Sequence, residues 1–360
     1  MYQRLTALTS LAAAAIVGTC AVAPLAGQAT SGGNKVATAT SASPAGWRTP
    51  RTPWGDPDIQ GNFTNLYEQG TPLERPDQFA GRTLSEVRGE ELKTLKIAAQ
   101  ERAISAFQGP IHAPDNWWQD ALDSKRGSQA WLVTDPPDGK VPPMTDAAQR
   151  RIAARAEARR NLGHGPADSY EDRSLYDRCI TRGLPGSMMP TIYGNSYKIV
   201  QGRGYVAIQY EMIHETRVIP LDGQPHAGRN IRFDMGDARG HWEGDTLVVE
   251  TTNFNDRSVY RNANAETLKL VERFTRVGPN TVKWSVTFDD PSTWTRPWTF
   301  SLPLTRNDAE PMMQYECHEG NYGLRNILSG TRAEERNGGG SARPGSEAQP
   351  ADLAAPAEER

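Results

Sequence analysis

Three ionisable side chains occur at alternating positions of β-like segments, on faces that are otherwise apolar. Residues two apart in a strand share one face of a sheet. The three are His214, Glu250 and Glu272. Their apolar neighbours at this spacing are Val206, Ile208, Tyr210 and Met212 for His214, Trp242 and Val248 for Glu250, and Leu268, Leu270 and Phe274 for Glu272. The pattern predicts an imidazole and two carboxyl groups facing an interior.

Such a set suits acid–base chemistry. Burial disfavours a charged form, so it raises the pKa of a carboxyl group and lowers that of an unpaired histidine. Groups that titrate near neutral pH can exchange protons with a substrate. We predict His214 as base or proton shuttle, with Glu250 or Glu272 as partner. The alternatives are a structural His214 satisfied inside the core, and a strand that buries Leu247 and Val249 and leaves Glu250 in solvent.

Further residues are predicted to contact a substrate. Three of them would orient the substrate or stabilise an anionic intermediate: Arg217, His318 and Tyr322. The last two belong to the polar segment Cys317–Asn326, a composition typical of a pocket rim on a rigid scaffold. Trp294 and Trp298 offer aromatic platforms to a sugar-like or aromatic ligand, although core packing is the commoner use of tryptophan.

Carboxylates and histidines also crowd the loop 231–245. Asp234, Asp237 and His241 lie there, with His226 just upstream. Their spacing matches neither an EF-hand loop nor a zinc signature, and Asp and Gly are ordinary turn formers. We therefore predict no metal and no cofactor, and a metal-dependent hydrolase is the weakest interpretation.

The elements that would position these residues are short strands separated by Gly, Pro, Asn and Asp. This pattern begins at Asp177. It is typical of an antiparallel β-barrel or sandwich, lipocalin-like in pattern, over residues 177–332. The predicted strands span residues 196–200, 205–220, 240–254, 267–277, 281–289, 294–305 and 312–318.

Residues 47–176 are predicted to form an extended arm and a short helical segment packed on the barrel. Prolines exclude a helix at its start. A capping-box spacing predicts a helix over 83–107, and a second helix is predicted over 146–161. A hairpin is expected within 129–139.

The N-terminal segment of the chain predicts secretion, and the segments next to it and at the C-terminus predict flexibility. Residues 1–29 have the charged start, short apolar centre and small-residue cleavage pattern of a secretory signal peptide, and the apolar run is too short to span a membrane. Lipoprotein anchoring at Cys20 is less favoured, because Thr19 is a poor lipobox residue. Residues 30–46 and 333–360 are predicted to be a flexible linker and a disordered tail. We expect a periplasmic or secreted protein without a transmembrane segment after signal removal.

Two cysteines remain once the signal is removed. In an oxidising compartment Cys179 and Cys317 predict a disulfide, with two separate buried thiols as the alternative. A bond between them would bring His318 and Arg325 beside Arg178. The net charge of −3 argues against a nucleic-acid partner. The oligomeric state is not predicted.

Several segments spread over about residues 50–330 resemble a family of uncharacterised secreted bacterial proteins. The resemblance implies no established reaction. It rests on Asp56–Gly61 (DPDIQG), Asp177–Gly186 (DRCITRGLPG), His214–Arg217 (HETR), Trp242–Phe254 (WEGDTLVVETTNF) and Tyr315–Asn326 (YECHEGNYGLRN).

Two functions are consistent with these patterns. The first is a secreted or periplasmic barrel enzyme, a lyase, hydratase, isomerase or hydrolase without a redox cofactor, acting on a sugar-like or aromatic small molecule. The second is a non-catalytic envelope protein that binds a small molecule. Convergence of His214, Glu250 and Glu272 on one pocket would favour the enzyme, and dispersed outward positions would favour the binding protein.

Overall fold

The structure is a computed structural model that describes residues 46–106, 126–161, 165, 167–191, 193–310 and 312–337. These residues belong to one unit, residues 37–360. The predicted signal peptide, the linker up to residue 45 and the tail from residue 338 lie outside the described residues. Among the described residues, no helix has both the length and the apolarity needed to cross a membrane.

Ten strands form a single antiparallel sheet. In chain order they are β1 (Gly61–Thr64), β2 (Val133–Asp135), β3 (Ser196–Gly202), β4 (Tyr205–Tyr210), β5 (Thr216–Pro220), β6 (Asp237–Glu243), β7 (Thr246–Thr252), β8 (Lys269–Gly278), β9 (Thr281–Asp289) and β10 (Trp298–Arg306). They pair in the order β5-β4-β3-β1-β10-β9-β8-β7-β6, and β2 pairs with β10. The prediction of a mainly antiparallel β fold is confirmed.

Alternation along the strands builds the core. In β9, Val282, Trp284, Val286 and Phe288 are each 0% exposed, as their two-residue spacing predicts. Burying a side chain of this size stabilises the fold by roughly 1.5–3 kcal/mol. Strand β10 is buried along most of its length, and the Ser301 amide donates to the Leu132 carbonyl at 3.0 Å on the edge where β2 pairs with β10.

The two edge strands, β5 and β6, approach each other where a side chain is missing. A Cβ added at Gly240 on β6 would lie 2.7 Å from Leu221 Cδ2 and 2.8 Å from Ile219 Cγ2. No ladder of hydrogen bonds joins β5 to β6 among the described strands. The sheet is therefore not closed into a hydrogen-bonded barrel.

The predicted arm contributes to the sheet itself, because β1 lies between β3 and β10. Helix α1 (Gly89–Ala106) is fastened to the arm by a buried ion pair, Lys96 Nζ to Glu68 Oε2 at 2.8 Å. The Ser128 amide donates to Glu68 Oε1 at 2.6 Å, so the buried carboxylate is well satisfied. Helix α2 (Asp146–Asn161) has its predicted bounds, and helix α3 (Tyr322–Arg336) was not predicted.

Several predicted boundaries are wrong. The capping box at Thr83 and Glu86 is present, but it caps a short 3₁₀ turn before α1 rather than α1 itself. Residues 129–139 form no hairpin, because β2 pairs with β10. The predicted strand 240–254 is two strands joined at Gly244, whose φ of 59° permits the tight turn. Residues 312–318 are not a strand, and residues 333–336 of the predicted tail are helical.

Candidate functional site

The predicted disulfide between Cys179 and Cys317 is present, with a Cα–Cα distance of 5.7 Å. It joins the mostly buried segment 177–189 to the start of the C-terminal segment that carries α3. Asn321 adds a second connection, because its Nδ2 donates to the Asp177 carbonyl at 2.8 Å while its Oδ1 accepts from the Leu324 amide at 3.0 Å. One side chain thus caps α3 and fixes the helix start to the disulfide-bonded segment.

A cleft of about 550 Å³ lies between this segment and α3. Its lining is strongly cationic, with an amide and two leucines beside the charges. The lining residues are Arg178, His318, Asn321, Leu324, Arg325, Leu328, Ser329 and Arg332. The cleft therefore presents fixed positive charge next to apolar surface, and we call it the arginine cleft.

Two guanidinium groups of the arginine cleft lack a carboxylate partner among the described residues. The Arg178 guanidinium lies over the Tyr170 ring, 5.1 Å from its centroid, and its buried Nη1 has no hydrogen-bond partner within the described part of the chain. Arg325, on the exposed side of α3, makes no ion pair with any described residue. A guanidinium group without a carboxylate partner can bind an anion through charge-assisted hydrogen bonds, so Arg178 is suited to this role.

Arg332 closes the other end of the arginine cleft. It bonds Asp168 Oδ1 at 3.3 Å and Glu335 Oε1 at 2.9 Å, and it donates to the Asp168 carbonyl at 3.2 Å. Its charge is therefore mostly compensated, and its bonds hold the C-terminal half of α3 against residues 167–168. The sequence placed His318, Arg325 and Arg178 together correctly. Predicted Tyr322 is 66% exposed and does not line the cleft.

His214 does not lie on a core face, contrary to the prediction. Strand 205–220 is interrupted by a 3₁₀ turn, Met212–His214, in which Ile213 and His214 have φ values of 65° and 63°. The turn exposes His214 and inverts the side-chain alternation that follows. Val218 consequently lies outside and is 57% exposed, whereas Arg217 is buried.

Arg217 and Glu272 form an ion pair inside the sheet. Arg217 Nη1 contacts Glu272 Oε2 at 2.5 Å and Nη2 contacts Oε1 at 3.1 Å, while Trp284 Nε1 donates to Oε1 at 3.1 Å. Burial opposes the guanidinium charge, but Glu272 holds the pKa of Arg217 above its usual range. Burial raises the pKa of the neighbouring Tyr210 hydroxyl, because it disfavours the charged phenolate. Glu272 faces the interior as predicted, yet its partner is Arg217 and not a histidine.

Glu250 lies on the outside of β7, because Leu247 and Val249 occupy the interior face. This is the alternative left open by the sequence. Its neighbours are His226, with Nε2 at 3.4 Å from Oε1, and Lys269, with Nζ at 3.7 Å from Oε2. His214, Glu250 and Glu272 therefore occupy three separate places and do not converge.

The loop considered for a metal is held by pairwise contacts instead. His226 Nδ1 contacts Asp237 Oδ2 at 3.1 Å, and Arg239 Nη1 contacts Asp237 Oδ1 at 2.7 Å. His241 Nε2 contacts Glu243 Oε1 at 3.2 Å. Within the described ranges no group of three His, Cys, Asp or Glu side chains is arranged to hold a metal ion.

Trp294 and Trp298 are core residues, contrary to the prediction of a ligand platform. They are 2% and 0% exposed, and the Trp298 ring stacks on Phe288 with centroids 4.2 Å apart. Phe288 also meets Trp294 edge-on at 5.5 Å. Aromatic clusters of this geometry stabilise a core by more than their buried area alone.

Glu215 is a titratable residue that the sequence analysis missed. It is half-buried beside the disulfide-bonded segment, and its Oε2 accepts a hydrogen bond from Thr181 Oγ1 at 2.7 Å. Burial is the main cause that raises the pKa of Glu215 to about 7, and the nearby Asp234 carboxylate adds to it. The interrupted strand hides this residue from a periodicity argument, because Glu215 lies one residue out of step with the apolar positions 206, 208, 210 and 212.

Comparison with known proteins gives little further information. No family model matches the chain, and no curated protein matches it. Among solved structures, a mutant of the fluorescent protein UnaG matches with 11% sequence identity and a TM-score of 0.20, over 37% of this chain and 85% of that one. A likeness at this TM-score supports no argument about the site.

Proposed function

We propose that this chain is a secreted or periplasmic protein that binds a small anionic molecule with an apolar part in the arginine cleft. The observation that carries the proposal is the pair Arg178 and Arg325, two guanidinium groups without a carboxylate partner among the described residues, in one cleft with Leu324 and Leu328. Guanidinium groups match carboxylate and phosphate oxygens in geometry as well as charge.

The size of the cleft agrees with this ligand class. Small-molecule sites have volumes of roughly 300–1,000 Å³ and combine apolar walls with a few polar groups that fix orientation. The arginine cleft has about 550 Å³, and its walls are anchored by the disulfide, Asn321 and Arg332. An anchored site loses less conformational entropy on binding than a mobile one.

The experiment is an equilibrium titration with benzoate and phenyl phosphate, using benzyl alcohol as the neutral counterpart. We expect the two anions to bind and the alcohol to bind far more weakly. Arg325→Gln is expected to weaken anion binding about tenfold, the loss of roughly one charge-assisted hydrogen bond. Arg203→Gln, an exposed arginine in the β3–β4 turn, is the matched control. Equal affinities of Arg325→Gln and Arg203→Gln for the two anions would contradict the proposal.

A second candidate function is acid–base catalysis, and Glu215 is the observation that favours it. A carboxyl group with a pKa of about 7 can both accept and donate a proton near neutral pH. This candidate replaces His214 and Glu250 as the reactive groups. If the Glu215→Gln variant turned over an identified substrate at the same rate as the parent, this second candidate would be excluded.

A further inference from the structure

His214 lines a second, smaller groove of about 240 Å³. Asn62, Lys198 and Gln209 lie at paired positions on β1, β3 and β4 and form its floor. Residues 312–314 (Met-Met-Gln) form its other wall. One histidine and two methionines therefore line the same groove.

Met313 is unusual among the apolar residues. It is 75% exposed, the largest value among the exposed large hydrophobic residues of the described chain. A thioether in water makes no packing contribution to stability. It is instead a soft and polarisable ligand on a side chain with three rotatable bonds, so it can adjust to a bound ion.

The backbone at His214 is held in an unfavourable conformation. Ile213 and His214 both have left-handed φ values, and for the β-branched Ile213 this is a genuine outlier. Both residues therefore carry the strain of a left-handed backbone. The same turn brings Arg217 into the core and leaves His214 at the groove.

We propose that Met312, Met313 and His214 form a binding site for a soft monovalent metal ion, copper(I) or silver(I). Thioether and imidazole ligands favour such ions over hard cations, which prefer carboxylates. The site is independent of the arginine cleft. Lys198 also borders the groove, and its ammonium charge opposes the cation.

The test is a titration with silver(I) nitrate in chloride-free buffer, monitored by calorimetry. The full chain carries the Cys20→Ser substitution, because Cys20 is the one cysteine outside the disulfide. We expect one silver ion per chain. The double substitution Met312→Leu and Met313→Leu is expected to weaken binding at least about tenfold, and His214→Asn, which tolerates a left-handed φ, is expected to do likewise.

Two further variants complete the test. Met144→Leu removes a thioether elsewhere and is expected to bind silver as the parent does. Lys198→Gln is expected to tighten binding, because it removes a like charge from the groove. Unchanged silver affinity in the double methionine variant, or no binding by the parent chain, would overturn the proposal.

Discussion

Arg217 and Glu272 meet across the interior of the sheet although their strands, β5 and β8, are not neighbours. Their side chains are 4% and 0% exposed. The contact depends on the left-handed turn at Ile213 and His214, which inverts the alternation of β5 and directs Arg217 inward. A local backbone feature therefore determines which charge compensates the buried Glu272.

This ion pair leads to a prediction about stability. Arg217→Met leaves Glu272 buried without its cation and is expected to lower the free energy of unfolding by about 3–5 kcal/mol. Adding Glu272→Gln removes the uncompensated charge and keeps an acceptor for Trp284, so the double variant is expected to be more stable than the single one. Urea denaturation checks both. A double variant less stable than Arg217→Met would contradict this account.

The raised pKa of Glu215 predicts that the free energy of unfolding depends on pH. Its pKa of about 7 lies above the ordinary value of 4.5, so the folded protein binds more protons than the unfolded chain between these values. Stability from this group is fully present below about pH 4.5 and declines as the pH rises to about 7, by roughly 3 kcal/mol at most.

Glu215→Gln tests this prediction, because the amide imitates the protonated acid. We expect the stability of the variant not to decline between about pH 4.5 and 7, and the variant to be more stable than the parent at pH 8. Denaturation across pH 4–8 measures both. Glu157→Gln on α2, an exposed position, is the matched control. An unchanged pH profile in Glu215→Gln would show that Glu215 does not titrate in this range.

The disulfide-bonded segment contains a glycine whose replacement is expected to destabilise the fold. Gly183 has a φ of 64°, and a Cβ there would lie 2.4 Å from the carbonyl oxygen of Ser258. Gly183→Ala is expected to cost roughly 2–4 kcal/mol, from the left-handed backbone and the clash together. Gly186→Ala, whose nearest contact would be Arg182 Cβ at 3.8 Å, is expected to be tolerated. Similar thermal midpoints for the two variants would contradict this packing.

The disulfide is predicted to support both the fold and the arginine cleft. It closes a loop with a sequence separation of 138 residues, which corresponds to about 5 kcal/mol in the chain-entropy description. Replacing Cys179 and Cys317 by serine is expected to lower stability by up to this amount. Hydrogen exchange in α3 is expected to rise, because no residue of α3 is fully buried. Unchanged exchange in α3 would contradict the role of the bond.

The sequence predicted the strands best where alternation was uninterrupted. The bounds of β9 and the inward faces of Glu272 and Trp284 followed from two-residue spacing alone. The same argument failed between residues 205 and 220, because no glycine or proline marks the left-handed turn at Ile213. It also left two faces open for Glu250, since both faces of β7 carry apolar residues.

The candidate site was predicted only in part. The cysteine count placed His318 and Arg325 beside Arg178, because a disulfide fixes distant segments together. Arg332 and the two leucines were missed with α3, whose apolar positions Leu324 and Leu328 have helical spacing. The core positions of Trp294 and Trp298 depend on contacts with Phe288, which spacing in the sequence does not reveal.

The most direct test of the proposed function is an NMR titration of the arginine side-chain Nε–Hε signals with benzoate. We expect the signals of Arg178, Arg325 and Arg332 to shift in a saturable manner with a common dissociation constant, while Arg203 stays unchanged. Equal shifts of Arg203 and the cleft arginines, or no shift at Arg178 and Arg325, would contradict an anion site in the arginine cleft.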